Sequence, residues 1–409
     1  MSSLSLPQLL PSRRDFSGDD AIFMLNAAAQ RYAATGQPVI NATMGALLDE
    51  DGKLVILDSV MAVWRELTPL EIAPYAPIAG DPAFLLAITQ RHWPALPSYG
   101  VGVATPGGSG ALALTLRNLL DRGQSVLTAA PYWGPYSTIA VENGVTLATV
   151  PYPAAGASLD VGVWEATARD LLEAQGRLVV WLNDPCHNPT GRSLSRDDRR
   201  TLLSVLRDIS FSGPVTLILD FAYLDYARDP DAVREALDDY AAFGAEGQVL
   251  VGATLSLSKA YTLYGSRAGA LVFPWTTDAA LKAALVTSCR GTWSNCARAP
   301  MSVLLRMLKS ESAQAALAAE HAHWRTVLMD RVAALDTALK AEGFAQGAAW
   351  DGGFFVTLEA PDPFAACDRL QAAGVFVVPM PEGLRVGVCG MKAADAPRFA
   401  AAYRAAVGG

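Results

Sequence analysis

Six short apolar runs recur along the middle of this chain at helix-sized intervals, and they restrict its fold more than any other feature. They cover residues 126–129, 145–150, 178–182, 215–219, 250–254 and 268–273. Runs of four to six residues rich in Val, Leu and Ile have the length of strands, and their lack of polar alternation fits strands covered on both faces. Strands spaced this way build an open α/β sheet, mainly parallel and flanked by helices. Ligands in such sheets collect beyond the carboxyl ends of the strands, so the residues just after each run are the first to inspect for function.

Those residues are unusual. After the run at 249–255 comes Ser256-Leu257-Ser258-Lys259. A lysine amine desolvated at a strand end loses its proton more easily, and a neutral amine is the form that attacks an aldehyde. Ser256 and Arg267 supply a hydroxyl and a cation suited to an anion such as phosphate. Asp220 follows the run at 215–219, where a carboxylate is nearly buried and needs a cation or donors; a protonated pyridine nitrogen would serve. Tyr223 stands three residues further on and could hydrogen-bond a hydroxyl on such a ring. Trp133 follows the run at 126–129 and offers a flat surface for a planar ring. Asn188-Pro189-Thr190-Gly191 makes a turn after the run at 178–182, with an amide free to bond a phenolic oxygen.

Three further segments carry chemistry. Thr105-Pro106-Gly107-Gly108-Ser109-Gly110 opens a helix whose amides and partial positive charge suit a phosphate, although it matches neither a Walker A loop nor G-x-G-x-x-G. Gly45 ends a short strand-like stretch and permits close approach of a ligand. Arg385 stands on the apolar run 384–388, where a carboxylate bound to its planar fork would offset the cost of burial. From the residues alone, Asp220 could equally cap a helix, and Arg385 could form an ion pair within the protein.

Composition excludes some partners. A net charge of −8 without long basic runs argues against nucleic acid or an anionic membrane surface. No apolar run approaches the roughly 20 residues of a membrane span. The proline-broken start does not read as a signal peptide. Five cysteines without a C-x-x-C pair predict a reduced, cytoplasmic setting, and four scattered histidines make a histidine-rich metal site a poor expectation.

The motifs together resemble fold-type I aminotransferases of the aspartate and aromatic group. Ser256-x-x-Lys259-x7-Arg267 matches the cofactor lysine segment, His187-Asn188-Pro189-Thr190-Gly191 the asparagine turn, and Tyr75-Ala76-Pro77-Ile78-Ala79-Gly80 the family's Y-x-P-I-x-G. Arg290-Gly291-Thr292-Trp293-Ser294-Asn295 matches R-x-x-W-S-N, but Cys296-Ala297 replace the usual proline pair; Gly107 stands where the family has serine.

The resemblance implies a large domain (51–319) binding pyridoxal phosphate, a smaller α+β domain (16–50 with 320–409) and an N-terminal arm (1–15). It also implies cofactor contacts at Tyr75, Gly108, Ser109, Trp133, Asn188, Asp220, Tyr223, Ser256, Lys259 and Arg267, with Lys259, Asp220 and Tyr223 catalytic. Gly45, Trp133, Asn188, Arg290 and Arg385 would meet the substrate. The implied activity moves an amino group between an L-amino acid, dicarboxylic or aromatic, and a 2-oxoacid such as 2-oxoglutarate. The implied assembly is a homodimer in which Tyr75 and Arg290 reach the neighbour's site. A lyase or decarboxylase of the same fold, or a non-catalytic regulator that binds the cofactor, would share these contacts.

Overall fold

The computed structural model describes Leu9, residues 20–345 and residues 347–408. The arm expected at 1–15 lies almost wholly outside the described residues. Strand β1 (Ile40–Asn41) is followed by seven strands, β2 (Val101–Thr105), β3 (Ser125–Ala130), β4 (Thr146–Pro151), β5 (Leu178–Leu182), β6 (Val215–Phe221), β7 (Leu250–Ser256) and β8 (Gly269–Phe273). These seven form one sheet in the order β2-β8-β7-β6-β5-β3-β4. All neighbouring pairs are parallel except those made by β8, which runs antiparallel to β7 and β2.

The mainly parallel α/β sheet expected from the apolar runs is therefore present, and β5, β6 and β8 are buried along their whole length. The sequence reading omits β2, because Val101-Gly102-Val103-Ala104-Thr105 carries a glycine in mid-strand, which weakens a strand pattern. Space is tight at this glycine: a Cβ on Gly102 would lie 3.1 Å from Val272 and 3.2 Å from the Tyr99 ring. The second difference is at Asp220. It lies inside β6 rather than after it and caps no helix.

The order of connection turns back between β3 and β5: β3 leads outward to β4, whereas β5, β6 and β7 proceed the other way. Crevices form at the carboxyl ends beside such a reversal. The helix Gly107–Leu119 packs against β7 and β8, bringing its first turn toward the same edge.

Beyond the sheet, the 31-residue helix Glu311–Ala341, capped by the Ser310 side chain on Ala313 N–H, leads into the rest of the chain. That part holds β9 (Phe355–Leu358), β10 (Val375–Phe376), β11 (Val378–Met380) and β12 (Gly383–Gly387). Strands β11, β12 and β9 form an antiparallel sheet, while β10 pairs in parallel with β1. The stretch 375–379, expected as one strand, is thus divided between two sheets.

Arg331 on the long helix pins this region. It is 1% exposed and donates to the Cys389 and Leu48 carbonyls at 2.8 and 2.9 Å and to Glu50 Oε1 at 2.6 Å. Arg331→Ala would strand those carbonyls and leave a cavity, which should cost about 2–4 kcal/mol. The check is urea unfolding: the midpoint should fall, and an unchanged midpoint would show that the contacts contribute nothing.

Candidate active site

Strand ends deliver most of the expected residues to one region. Asp220 is buried in β6, and its side chain is held from two sides: Tyr136 Oη donates to Oδ2 at 2.6 Å and Thr254 Oγ1 donates to Oδ1 at 2.9 Å. Thr254 can do so because it is the register partner of Asp220 on β7. The Asp220 carbonyl also accepts from Asn183 Nδ2 at 2.6 Å. Asn183 Oδ1 in turn accepts the Asn188 N–H at 2.6 Å, which ties the end of β5 to that of β6. Among the described residues no cation stands within ion-pair distance of Asp220. Burial raises its pKa, while the Tyr136 and Thr254 hydroxyls and the charge of Lys259 pull it back down.

Lys259 follows β7, with its Nζ 5.5 Å from the centre of the Tyr223 ring. Desolvation lowers the pKa of its amine, and the nearby Asp220 carboxylate opposes that shift. Tyr223 is 3% exposed and wedged against Phe354 and Phe355, with ring centroids 5.1 and 5.9 Å away.

Phe355 also backs Arg385, whose guanidinium carbon lies 4.3 Å over the ring. Arg385 is buried and donates through Nη2 to the Thr43 carbonyl at 2.8 Å, yet its Nε has no partner. No carboxylate among the described residues pairs with it, so the internal salt bridge that the sequence left open is not made. Desolvation lowers its pKa. Gly45 completes this corner: a Cβ there would stand 2.8 Å from Phe355 Cζ and 3.7 Å from Tyr223 Oη.

The cradle expected for an anion is assembled from two loops. Arg267, in a left-handed conformation at φ 50°, donates to the Tyr264 carbonyl at 2.9 Å and reaches the Pro106 carbonyl at 3.4 Å and Ser258 Oγ at 3.5 Å. Its guanidinium so fills the space beside Gly107 that a Cβ there would lie 2.7 Å from Nη2. Gly107 also has φ 72°, so a side chain would be both strained and obstructed. Gly108 and Ser109 occupy the first turn of Gly107–Leu119, and a Cβ on Gly108 would meet nothing within 4 Å. Ser256 Oγ accepts the Ser258 N–H at 3.1 Å.

Trp133 lies beyond β3, its ring edge-on to Tyr136 at 5.8 Å. Two expected residues point elsewhere. The Tyr75 side chain is 88% exposed, and Arg290, at the end of the helix Ala279–Thr292, is exposed and donates to Ser294 Oγ at 2.6 Å.

Sequence reasoning missed Tyr136, Thr254, Asn183 and Phe355. A signal existed for the first two, since a buried carboxylate demands donors and β6 pairs with β7. Nothing in the sequence marked Phe355 as the support shared by Arg385, Tyr223 and Gly45.

This arrangement fits a flat, charged cofactor. The site holds a buried carboxylate with no cation, an amine poised toward its neutral form, an arginine Nε without a partner and, on Asn188, a buried amide oxygen also without a partner. Unpartnered buried polar atoms are costly, and two of them, Arg385 Nε and Asn188 Oδ1, in a site that also holds an unpaired carboxylate, indicate that a ligand completes it.

The fold is that of solved aminotransferases: the crystal structure of an aminotransferase from Anaerococcus prevotii superposes with a TM-score of 0.89 at 28% identity, covering 98% of this chain and 99% of that one. The chain belongs to the aminotransferase class I and II family, whose model matches residues 37–402. It is 30% identical to an aspartate aminotransferase of Pseudomonas aeruginosa over 340 residues, 79% of this chain and 81% of that relative. It is also 32% identical to an aromatic-amino-acid aminotransferase of the same organism, a match that spans 56% of this chain and only 57% of that relative.

The opposed causes acting on Lys259 give a signed prediction. A carboxylate nearby favours the charged amine, so Asp220→Asn should lower the Lys259 pKa further below the ordinary lysine value of about 10.4. The pH dependence of labelling by an amine-reactive reagent, read peptide by peptide on cofactor-free protein, checks it. A midpoint in the wild type at the ordinary lysine value, or one that rises in Asp220→Asn, would contradict the electrostatics described.

Proposed function

We propose that the protein is an aminotransferase that works with pyridoxal phosphate, moving an amino group from an L-amino acid to a 2-oxoacid. The observation that carries the reading is the pairing of an unaccompanied buried carboxylate, Asp220, with a desolvated lysine, Lys259, at the ends of adjacent strands. When bound, pyridoxal phosphate supplies an aldehyde that condenses with amines and a ring that takes up the electrons left at a substrate's Cα.

The chain's own residues then divide the work. Lys259 would hold the aldehyde end of the cofactor, and its amine, when free, would be the base that takes the Cα proton. Asp220 keeps a proton on the ring nitrogen, since a buried anion favours the charged form of a base beside it. Asn188 and Tyr223 would bond the ring hydroxyl, and Trp133 would offer its face to the ring. Arg267, Ser256, Gly108 and Ser109 would hold the phosphate, and Arg385 would take the α-carboxylate through the fork whose Nε is unpartnered. Gly45 leaves room for the substrate beside Phe355.

The same reading includes a homodimer. Leu54, Ile56, Leu70 and Ile72 are exposed in the same stretch of chain as Tyr75, a concentration of apolar surface that supports contact with a second copy. In that assembly Tyr75 would reach the neighbour's phosphate and Arg290 the distal carboxylate of an acidic substrate. The division into a large domain (51–319) and a smaller one (16–50 with 320–409) is supported by the separation of the sheets.

Lys259→Ala should lower turnover by about six orders of magnitude, the scale seen when a covalent nucleophile is removed, with the far-ultraviolet spectrum unchanged. Arg385→Ala should raise KM for the amino acid by about a hundredfold with a smaller effect on kcat, as expected for loss of a charged hydrogen bond. Steady-state assays of oxoacid formation measure both. Near-normal turnover in Lys259→Ala would overturn the assignment.

A further inference from the structure

We propose that Tyr136 is a positioning residue for Asp220: its phenol fixes one carboxylate oxygen and thereby sets the carboxylate to hold a protonated ring nitrogen. The inference rests on the reading of the site given above. It extends that reading to a residue of the helix Pro135–Asn143.

Three observations carry it. The Tyr136 Oη to Asp220 Oδ2 bond is 2.6 Å long, the shorter of the two hydroxyl bonds to this carboxylate, and Tyr136 is 1% exposed. No charged group of the described residues stands within ion-pair distance of Asp220, so the anion is held in place only by neutral donors. Neutral hydroxyls orient a carboxylate and stabilise its charge, but they do not cancel it. What remains is a fixed, uncompensated negative charge, which suits a cation delivered by a ligand. A lysine or arginine in the place of Tyr136 would neutralise it from behind.

The donor role is also secure in direction. Burial and the Asp220 charge hold the Tyr136 phenol well above its ordinary pKa, so it keeps its proton and can only donate. Without that bond, burial would push Asp220 toward its neutral acid, which no longer favours a protonated ring.

The competing explanation is that Tyr136 only fills space. Its ring does pack edge-on against Trp181 at 4.8 Å and Trp133 at 5.8 Å, and stacks on Tyr132 at 6.3 Å. Tyr136→Phe preserves all three ring contacts and removes only the hydroxyl, so it separates the two roles.

The experiment compares the affinity of cofactor-free protein for pyridoxal phosphate with its affinity for the analogue in which carbon replaces the ring nitrogen. The wild type should prefer the nitrogen ring by about tenfold or more, the scale of one charge-assisted hydrogen bond. Tyr136→Phe should lose most of that preference while binding the carbon analogue as the wild type does. Tyr136→His, which keeps a ring N–H able to donate, should retain more of the preference than Phe, and it provides the comparison if the Phe variant folds poorly. A wild type that prefers the nitrogen ring while Tyr136→Phe keeps the full preference, or loses affinity equally for both rings, would overturn the inference alone. A wild type that binds neither ring would overturn the functional reading, and this inference with it.

Discussion

A carboxylate buried in a parallel strand with no cation beside it is the constraint on which the rest of the site depends. Removing such a group from water costs several kcal/mol, and a folded chain tolerates it only with donors on its oxygens and a use for its charge. Asp220 has the donors in Tyr136 and Thr254, each supplied by a different element: a helix after β3 and the adjacent strand β7. That requirement links β6, β7 and the helix after β3 into one unit.

A second dependence runs through Phe355. Its ring lies under the Arg385 guanidinium, against Tyr223 and within a Cβ's reach of Gly45. One aromatic side chain therefore sets the spacing between the part of the site near Asp220 and the arginine on β12. The lysine segment is tied to the region before the main sheet as well, since Tyr264 Oη accepts the Leu47 N–H at 3.2 Å and Thr262 Oγ1 accepts the Leu57 N–H at 3.0 Å. Arg331 fastens Leu48 and Cys389 to the long helix. Gly45, Arg385 and Lys259 are thus located relative to each other by hydrogen bonds and packing that the chemistry itself does not use.

Much of this was legible in the sequence because burial in a parallel sheet leaves an unmistakable mark. Apolar runs without alternation located six of the seven strands of the main sheet, and the residues that break such runs, Asp220 and Lys259 above all, stood out as costly where they were. Arg385 was legible for the same reason. Other features have no such mark. Strand β2 was hidden by Gly102, where a side chain would crowd Val272 and Tyr99. Tyr136 looked like any aromatic beside a proline, since a donor to a buried carboxylate is defined by its neighbour and not by its own type. Gly107 read as a departure from the family's serine, whereas the Arg267 guanidinium occupies the place a side chain would need. Tyr75 and Arg290 were named from resemblance, and within one chain both side chains face outward.

The central claim is that Lys259, Asp220 and Arg385 form one crevice for amino-group transfer. The most direct measurement is a single half-reaction: protein loaded with pyridoxal phosphate is mixed with aspartate, glutamate, phenylalanine or tyrosine in the absence of any oxoacid, and released oxoacid is counted against bound cofactor. The account predicts one oxoacid per site, with the cofactor's aldehyde absorption replaced by that of its amine form and restored by adding 2-oxoglutarate. Oxoacid release without conversion of the cofactor, release of an eliminated fragment or carbon dioxide, or no reaction with any donor would contradict it.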